Sequence, residues 1–363
     1  MGTEVPPPTA RAPDDPTRAT DGRFPARGLA VLLSAPGVVE VTEVDVSPPL
    51  PGELLVRVEV AGICGSDVEL FAGNRPPDIV RYPVVPGHEW AGRVAAVGAG
   101  VTGFTPGDPV VVEGLRWCGE CARCREGATN LCLAGYRETG FTEPGAFAEY
   151  VVVPARLAHP VPEDKPLEEA ALLEPVACVV AALQAGAPQA GQRVVVIGGG
   201  TLGLIAVQLL ARTSPAELIL VESRADRREL GARFGATKTV DPGEAADFDA
   251  DLVVEAAGAP ETALAAVRAA RRGGTVVLLG ISGVGAATVP PDEVAVRELH
   301  VHGVFGARAE CWPIAIRHFA SGELDLSAMI SHRFPLAEVR TAVETASSHS
   351  PGLGKVLLRP PAN

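Results

Sequence analysis

The feature that most restricts this chain is a glycine-rich turn set between a strand-like run and a helix-like one. RVVVI at 193–197 is a short continuous apolar run, GGGTLG follows at 198–203, and LGLIAVQLLAR carries helical spacing. The alternation then repeats to about Val304, with ELILVE, DLVVEAAG and GTVVLLG as further strands and RADRRELGARFG and ETALAAVRAARR as helices between them. Strands separated by helices cannot form hairpins; they build βαβ units, and a row of these makes a doubly wound parallel sheet.

Within the turn, Gly198, Gly200 and Gly203 give G-x-G-x-x-G, with Thr201 and Leu202 opening the helix. The glycines permit a tight turn and let a pyrophosphate approach the free N–H groups of the helix N-terminus. Glu222 ends the next strand about twenty residues on, where a carboxylate binds the adenosine ribose hydroxyls and repels a 2′-phosphate. That favours NAD over NADP. Arg224, Arg227 and Arg228 follow directly and could pair with such a phosphate, so NADP stays open. Only three of the 31 basic residues are Lys, at 165, 238 and 355, so a single Arg here carries less functional weight.

A length of 363 residues exceeds what one core supports and predicts two domains. From Gly28 to Val153 the runs LAVLL, VVEVTEV, ELLVRVEVAGI, EWAGRVAAVG, DPVVVE and FAEYVVV are punctuated by Pro and Gly, as in a compact β-barrel. A helical stretch at 166–187 links this region to the next, and the mixed segment from Trp312 onward is expected to rejoin it. The expected division is a flexible tail over 1–26, a first part of the β domain over 27–178, the nucleotide domain over 179–311 and a return segment over 312–363.

Four of the seven cysteines, Cys118, Cys121, Cys124 and Cys132, are spaced C-x2-C-x2-C-x7-C. Four thiolates gathered by turns at Gly119 and Gly127 can close a tetrahedral zinc site with no open position. Iron–sulfur ligation and disulfides are the competing readings. Cys64 in GICGSD, His88 and Glu89 in PGHEW and Glu174 in LLEPVAC are dispersed, and each alone would be structural.

Together, GICGSD, VVPGHEWAGRV, the cysteine spacing, GAFAEYVVVP, EEAALLEPVACVV, GGGTLG and GVF…WPIAI…G…HRFPL resemble the zinc-dependent medium-chain alcohol and polyol dehydrogenases. The resemblance runs from about Gly28 to Leu358 and is strongest to the branch of sorbitol, threonine and aminocyclitol dehydrogenases. It implies a GroES-like catalytic domain, a Rossmann domain and an active site in the cleft between them. It also implies two zinc ions per chain, one structural and one catalytic. The catalytic ion would be held by Cys64 and His88, with Glu174 and Glu89 as acidic ligands, one of which exchanges with water or substrate. Ser66 is then the hydroxyl that takes the substrate proton, and Asp67 the carboxylate that holds His88 in its ligating tautomer.

Two positions depart from that pattern. Glu69 stands where many relatives end the proton relay with His, and Arg308 is the nearest match to an Arg–Tyr pair that contacts polyol hydroxyls, in a shifted register. Sorbitol itself is therefore not a safe assignment. Cys178 and Cys311 are read as buried packing, and His159, His300, His302, His318, His332 and His349 as structural or surface residues.

The resulting expectation is an NAD-dependent, zinc-requiring enzyme that oxidises a secondary alcohol of a polyol, amino alcohol or cyclitol to a ketone. An NADPH-dependent carbonyl reductase and a cofactor-binding relative without catalysis are the alternatives. A formal charge of −13 excludes a nucleic-acid partner. The most apolar stretch, 170–185, contains Glu174 and Pro175 and does not read as a membrane span. With no signal peptide legible, the expectation is a cytoplasmic homodimer or homotetramer.

Overall fold

A computed structural model describes residues 24–244, 248–281, 288–348 and 350–361. Residues 1–23 of the expected tail and His349 lie outside these. Strands β1 (Arg27–Ala35) and β2 (Val38–Asp45) form an antiparallel hairpin. Five strands follow: β3 (Glu53–Ile63), β4 (Glu89–Val97), β5 (Pro109–Val112), β6 (Tyr150–Pro154) and β7 (Ala158–Pro160). Leu54, Val56 and Val58 of β3 pack with Val94, Val110 and Phe147, whereas Val60 joins a second core with the helix Leu173–Gly186. β3 therefore lies between two cores, and its end emerges where they meet.

The next six strands are β8 (Arg193–Ile197), β9 (Glu217–Val221), β10 (Lys238–Val240), β11 (Ala250–Glu255), β12 (Ala270–Leu278) and β13 (His300–Gly303). They make one parallel sheet in the order β10-β9-β8-β11-β12-β13. Val194 and Val196 enter the core shared with the helices Leu173–Gly186 and Thr201–Ala211, while Val195 and Ile197 enter the core on the other face. Both faces are covered, which is why these strands are apolar throughout rather than alternating. Strand order reverses between β8 and β11, and ligands of such sheets bind beyond the strand ends at that point.

Two strands complete the chain, β14 (Ile330–Pro335) and β15 (Lys355–Arg359). β15 pairs antiparallel with β3, giving the order β14-β15-β3-β4-β5-β7, with β6 also on β3. The molecule is thus a GroES-like β domain joined to a Rossmann domain.

Two elements differ from the sequence expectation. The helical stretch 166–187 divides into Leu167–Ala170 and Leu173–Gly186, with Pro175 in the first turn of the second, where its missing N–H has no acceptor to lose. The expected division after Cys178 falls inside this second helix. The helix predicted over ETALAAVRAARR stops at Ala269, because Ala270 already pairs with Ala250 and the glycines at 273 and 274 disfavour a continued helix.

Candidate active site

Three element ends bring the dispersed residues together. Cys64 directly follows β3 and caps the helix Gly65–Ala72. His88 and Glu89 stand at the start of β4, and Glu174 is in the first turn of Leu173–Gly186. One ligand atom from each of Cys64, His88 and Glu89 lies within 4.8 Å of the others. Gly62 faces Glu89 across the β3–β4 pairing, and a Cβ there would stand 2.8 Å from Glu89 Oε2. That close approach is the physical reason for the first glycine of GICGSD.

Asp67 is fully buried and serves two neighbours. Its Oδ2 accepts the Cys64 backbone N–H at 2.9 Å, and its Oδ1 lies 3.4 Å from His88 Nδ1. Burial alone would lower the His88 pKa, but Asp67 and Cys64 outweigh it and hold the ring well above its ordinary value. His88 Nε2 is 3.5 Å from Ser66 Oγ, so the face of the ring away from Asp67 looks towards the serine.

Glu174 stands outside the trio: its Oε1 accepts the Cys178 thiol at 3.3 Å. Burial raises the Glu174 carboxyl above its ordinary value, opposed by His88 and reinforced by Glu89. Glu69 is half-buried, and its Oε2 has no hydrogen-bond partner. Arg308 is exposed beside Glu310.

Cys118, Cys121, Cys124 and Cys132 bring their sulfurs within 4.8 Å of one another. All four thiols are free, and Sγ separations of 3.9 and 4.0 Å are far beyond a disulfide bond, which removes that reading. Backbone N–H groups of Glu120 and Cys121 point at Cys118 Sγ, and that of Leu133 at Cys121 Sγ. With Leu133 as the leading cause, the Cys121 thiol is held at about 6. The lobe is anchored to the other domain where Asn130 Nδ2 donates to Phe305 O and Ala309 N donates to Thr129 Oγ1.

At the glycine turn, Gly198 has φ +97°, and a Cβ on Gly203 would fall 1.7 Å from Gly198 O. Nothing lies within 4 Å of the corresponding point on Gly200, which borders a cavity of about 360 Å³ together with Thr201, Arg227, Met329, Leu353 and Lys355. Leu202 is half-buried against the core. Glu222 follows β9, but its carboxylate turns inward: Oε2 accepts Gly199 N at 2.6 Å, and Oε1 accepts Arg224 N at 2.8 Å and Ser223 Oγ at 3.1 Å. Arg227 reaches across the cavity to Leu353 O at 3.4 Å, and Asp226 Oδ2 accepts Gly352 N at 2.7 Å.

The family model for the alcohol dehydrogenase GroES-like domain matches residues 50–163, and that for zinc-binding dehydrogenases matches 201–321. An L-threonine 3-dehydrogenase of Pyrococcus horikoshii is 34% identical over 321 residues, 84% of this chain and 91% of that one. The chain belongs to the zinc-type medium-chain alcohol dehydrogenases. This dehydrogenase is also 32% identical to a sorbitol dehydrogenase of Gallus gallus, over 88% of its own length and 93% of the relative's. A zinc-binding dehydrogenase of Sinorhizobium meliloti, solved bound to NADP, superposes with a TM-score of 0.85 at 34% identity, covering 93% of this chain and 100% of that one.

Sequence reasoning missed several residues at this dehydrogenase's cleft. Lys355 is buried and donates to Glu89 Oε2 at 2.5 Å and to Ile63 O at 3.3 Å. Its signal was available: a lysine beside an apolar run is anomalous in a chain that otherwise uses arginine. Phe141 packs against His88 with ring centroids 4.9 Å apart and carries the Arg75 guanidinium over its ring, 4.1 Å from the centroid. The helix Cys311–Ala320 places Trp312 flat on His159, which bonds to Glu113 at 3.0 Å; Cys178 and Cys311 are buried, as expected. Among the described residues, no helix is long and apolar enough to cross a membrane.

Proposed function

We propose that this dehydrogenase requires zinc and NAD and oxidises a secondary alcohol of a polar substrate to a ketone. The observation that carries the proposal is the convergence of the Cys64, His88 and Glu89 donors within 4.8 Å, beside Ser66. A thiolate, an imidazole and a carboxylate are zinc ligands, and three of them leave a coordination position for substrate. His88 Nδ1 faces the buried Asp67 Oδ1 at 3.4 Å, and a carboxylate beside that nitrogen fits a ring whose Nε2 is committed to a metal. The four-cysteine group suits a second, structural zinc with no such position.

When bound, zinc supplies a Lewis acid that acidifies the alcohol, and the nicotinamide supplies the hydride acceptor. The remaining work belongs to the chain. Asp67 orients Cys64 and His88. Lys355 occupies one oxygen of Glu89 and leaves the other for the ligand set. Ser66 Oγ would take the proton that the substrate hydroxyl gives up while passing its own on towards the cofactor ribose and solvent, and Glu174, in the first turn of its helix, is the acidic ligand that exchanges.

The NAD assignment rests on Glu222, whose Oε2, among the described residues, accepts only Gly199 N and so keeps a lone pair for a ribose hydroxyl. The NADP held by the Sinorhizobium relative and the position of Arg227 on the cavity keep the phosphorylated cofactor as the second reading. Steady-state turnover with each cofactor, in wild type and Glu222→Ala, tests both. NAD preference that weakens in the variant supports the proposal, whereas a wide NADP preference in wild type overturns it. β13 is the edge of its sheet and is exposed along all four residues, and there a second copy would pair. Sedimentation equilibrium tests that arrangement.

A further inference from the structure

Glu138 lies near His88 but belongs neither to the ligand trio nor to the cofactor cavity. Its backbone is held firmly: Glu138 N donates to Thr142 Oγ1 at 2.8 Å, its carbonyl accepts three N–H groups from Phe141, Thr142 and Glu143, and it bridges Leu115. The carboxyl Oε2 accepts the Tyr136 hydroxyl. Its Oε1 lies 3.6 Å from the point a Cβ would occupy on Gly114, and that point is 3.9 Å from His88 Cβ. Glycine at 114 therefore leaves space between the Glu138 carboxyl and His88 Cβ.

Among the described residues, Oε1 receives no hydrogen bond and no Lys or Arg forms an ion pair with Glu138. Arg75, whose charge Glu138 feels, is laid over Phe141, and its Nε has no acceptor. Burial, offset by His88 and reinforced by Glu174, pushes the Glu138 carboxyl up to about 7. A carboxyl held by its backbone near His88, with one oxygen satisfied and the other without a donor, is an acceptor in need of one, since unpaired desolvated carboxylates are costly.

We propose that Glu138 Oε1 accepts a hydrogen bond from a hydroxyl or ammonium group on the carbon next to the one oxidised, so that vicinal diols and amino alcohols are preferred to simple secondary alcohols. This rests on the dehydrogenase reading above and names the substrate class for it. Tyr136 is the positioning residue that fixes the carboxyl plane.

The test compares kcat/KM for 2-butanol, 2,3-butanediol and 3-amino-2-butanol in the zinc-loaded protein, with wild type, Glu138→Gln, Glu138→Leu and Tyr136→Phe. Wild type is expected to favour the diol or the amino alcohol over 2-butanol by roughly 10- to 100-fold, the range of a hydrogen bond to a charged group. Glu138→Leu is expected to collapse that ratio towards one, mainly through KM, and Tyr136→Phe to reduce it. In Glu138→Gln, a ratio lost for the amino alcohol alone identifies charge as the attraction, and one lost for both identifies the hydrogen bond; either supports the inference. A wild type that prefers 2-butanol, or a ratio unchanged in both Glu138 variants at unaltered zinc content, overturns the inference alone. A wild type that reduces neither NAD nor NADP with any alcohol overturns the dehydrogenase reading as well.

Discussion

Lys355 Nζ lies 2.5 Å from Glu89 Oε2, with the two side chains only 3% and 2% exposed. The pair joins the first residues of β15 and β4 across the end of β3, and so ties the final strand of the chain to the ligand trio. Glu89 raises the Lys355 pKa despite the opposing effect of burial, which keeps the ammonium charged. Breaking such a pair leaves an uncompensated buried charge. Lys355→Met is therefore expected to cost about 3–5 kcal/mol of stability by urea denaturation. Substitution of Lys355 is also expected to weaken retention of the catalytic zinc under mild chelation.

The pH dependence of stability should carry a mark of Glu138. Its folded pKa of about 7 stands above the ordinary carboxylate value of 4.5, so between these values the folded chain holds a proton that the unfolded chain has lost. Stability from this group is complete below the lower value and falls as pH rises through the higher one. Glu138→Gln cannot titrate, so the variant should gain stability relative to wild type across that window, measured as the difference in thermal midpoints at matched pH. A constant difference would contradict the burial of this carboxyl.

Metal stoichiometry separates the two clusters. Cys124→Ser should lower bound zinc from about two per chain to about one and loosen the lobe over residues 118–132. Because Asn130 and Thr129 anchor that lobe to Phe305 and Ala309, its proteolytic sensitivity should rise together with that of the segment around 305–309. Metal analysis and limited proteolysis of the same sample check both halves.

Gly203→Ala should disable the cofactor turn. The added Cβ meets a backbone oxygen rather than a flexible side chain, so the helix Thr201–Ala211 must move away from Gly198. The expected outcome is roughly 1–3 kcal/mol of destabilisation. It should come with a marked loss of NADH binding by fluorescence titration.

What was legible in the sequence depended on how local each feature is. The glycine turn and the cysteine cluster each occupy a few consecutive residues, and their spacing alone specifies the geometry. Cys64 and His88 are not local, and only the motifs around them suggested a common site; the pairing of β3 with β4 is what brings them together. Glu138 has no local signature, and the rarity of lysine singles out Lys355 without naming its partner, because the meaning of both depends on residues elsewhere in the fold. Glu138 in particular lies in YRETGFTEPG, which reads as an ordinary polar loop. The inward turn of Glu222 onto Gly199 also exceeds what the twenty-residue spacing could convey.

The bonds from Asp226 and Arg227 to the loop at Gly352 and Leu353 have a mechanical consequence. Leu353 is two residues from Lys355, so the cavity beside the glycine turn and the anchor of Glu89 are separated by a tether of about 7 Å of extended chain. Any displacement of Arg227 from Leu353 would act on the same short tether that ends at the partner of Glu89. The loop at Gly352 and Leu353 and the Lys355 end of the buried Lys355–Glu89 pair thus share one stretch of four residues, and a substitution in either falls within three residues of the other.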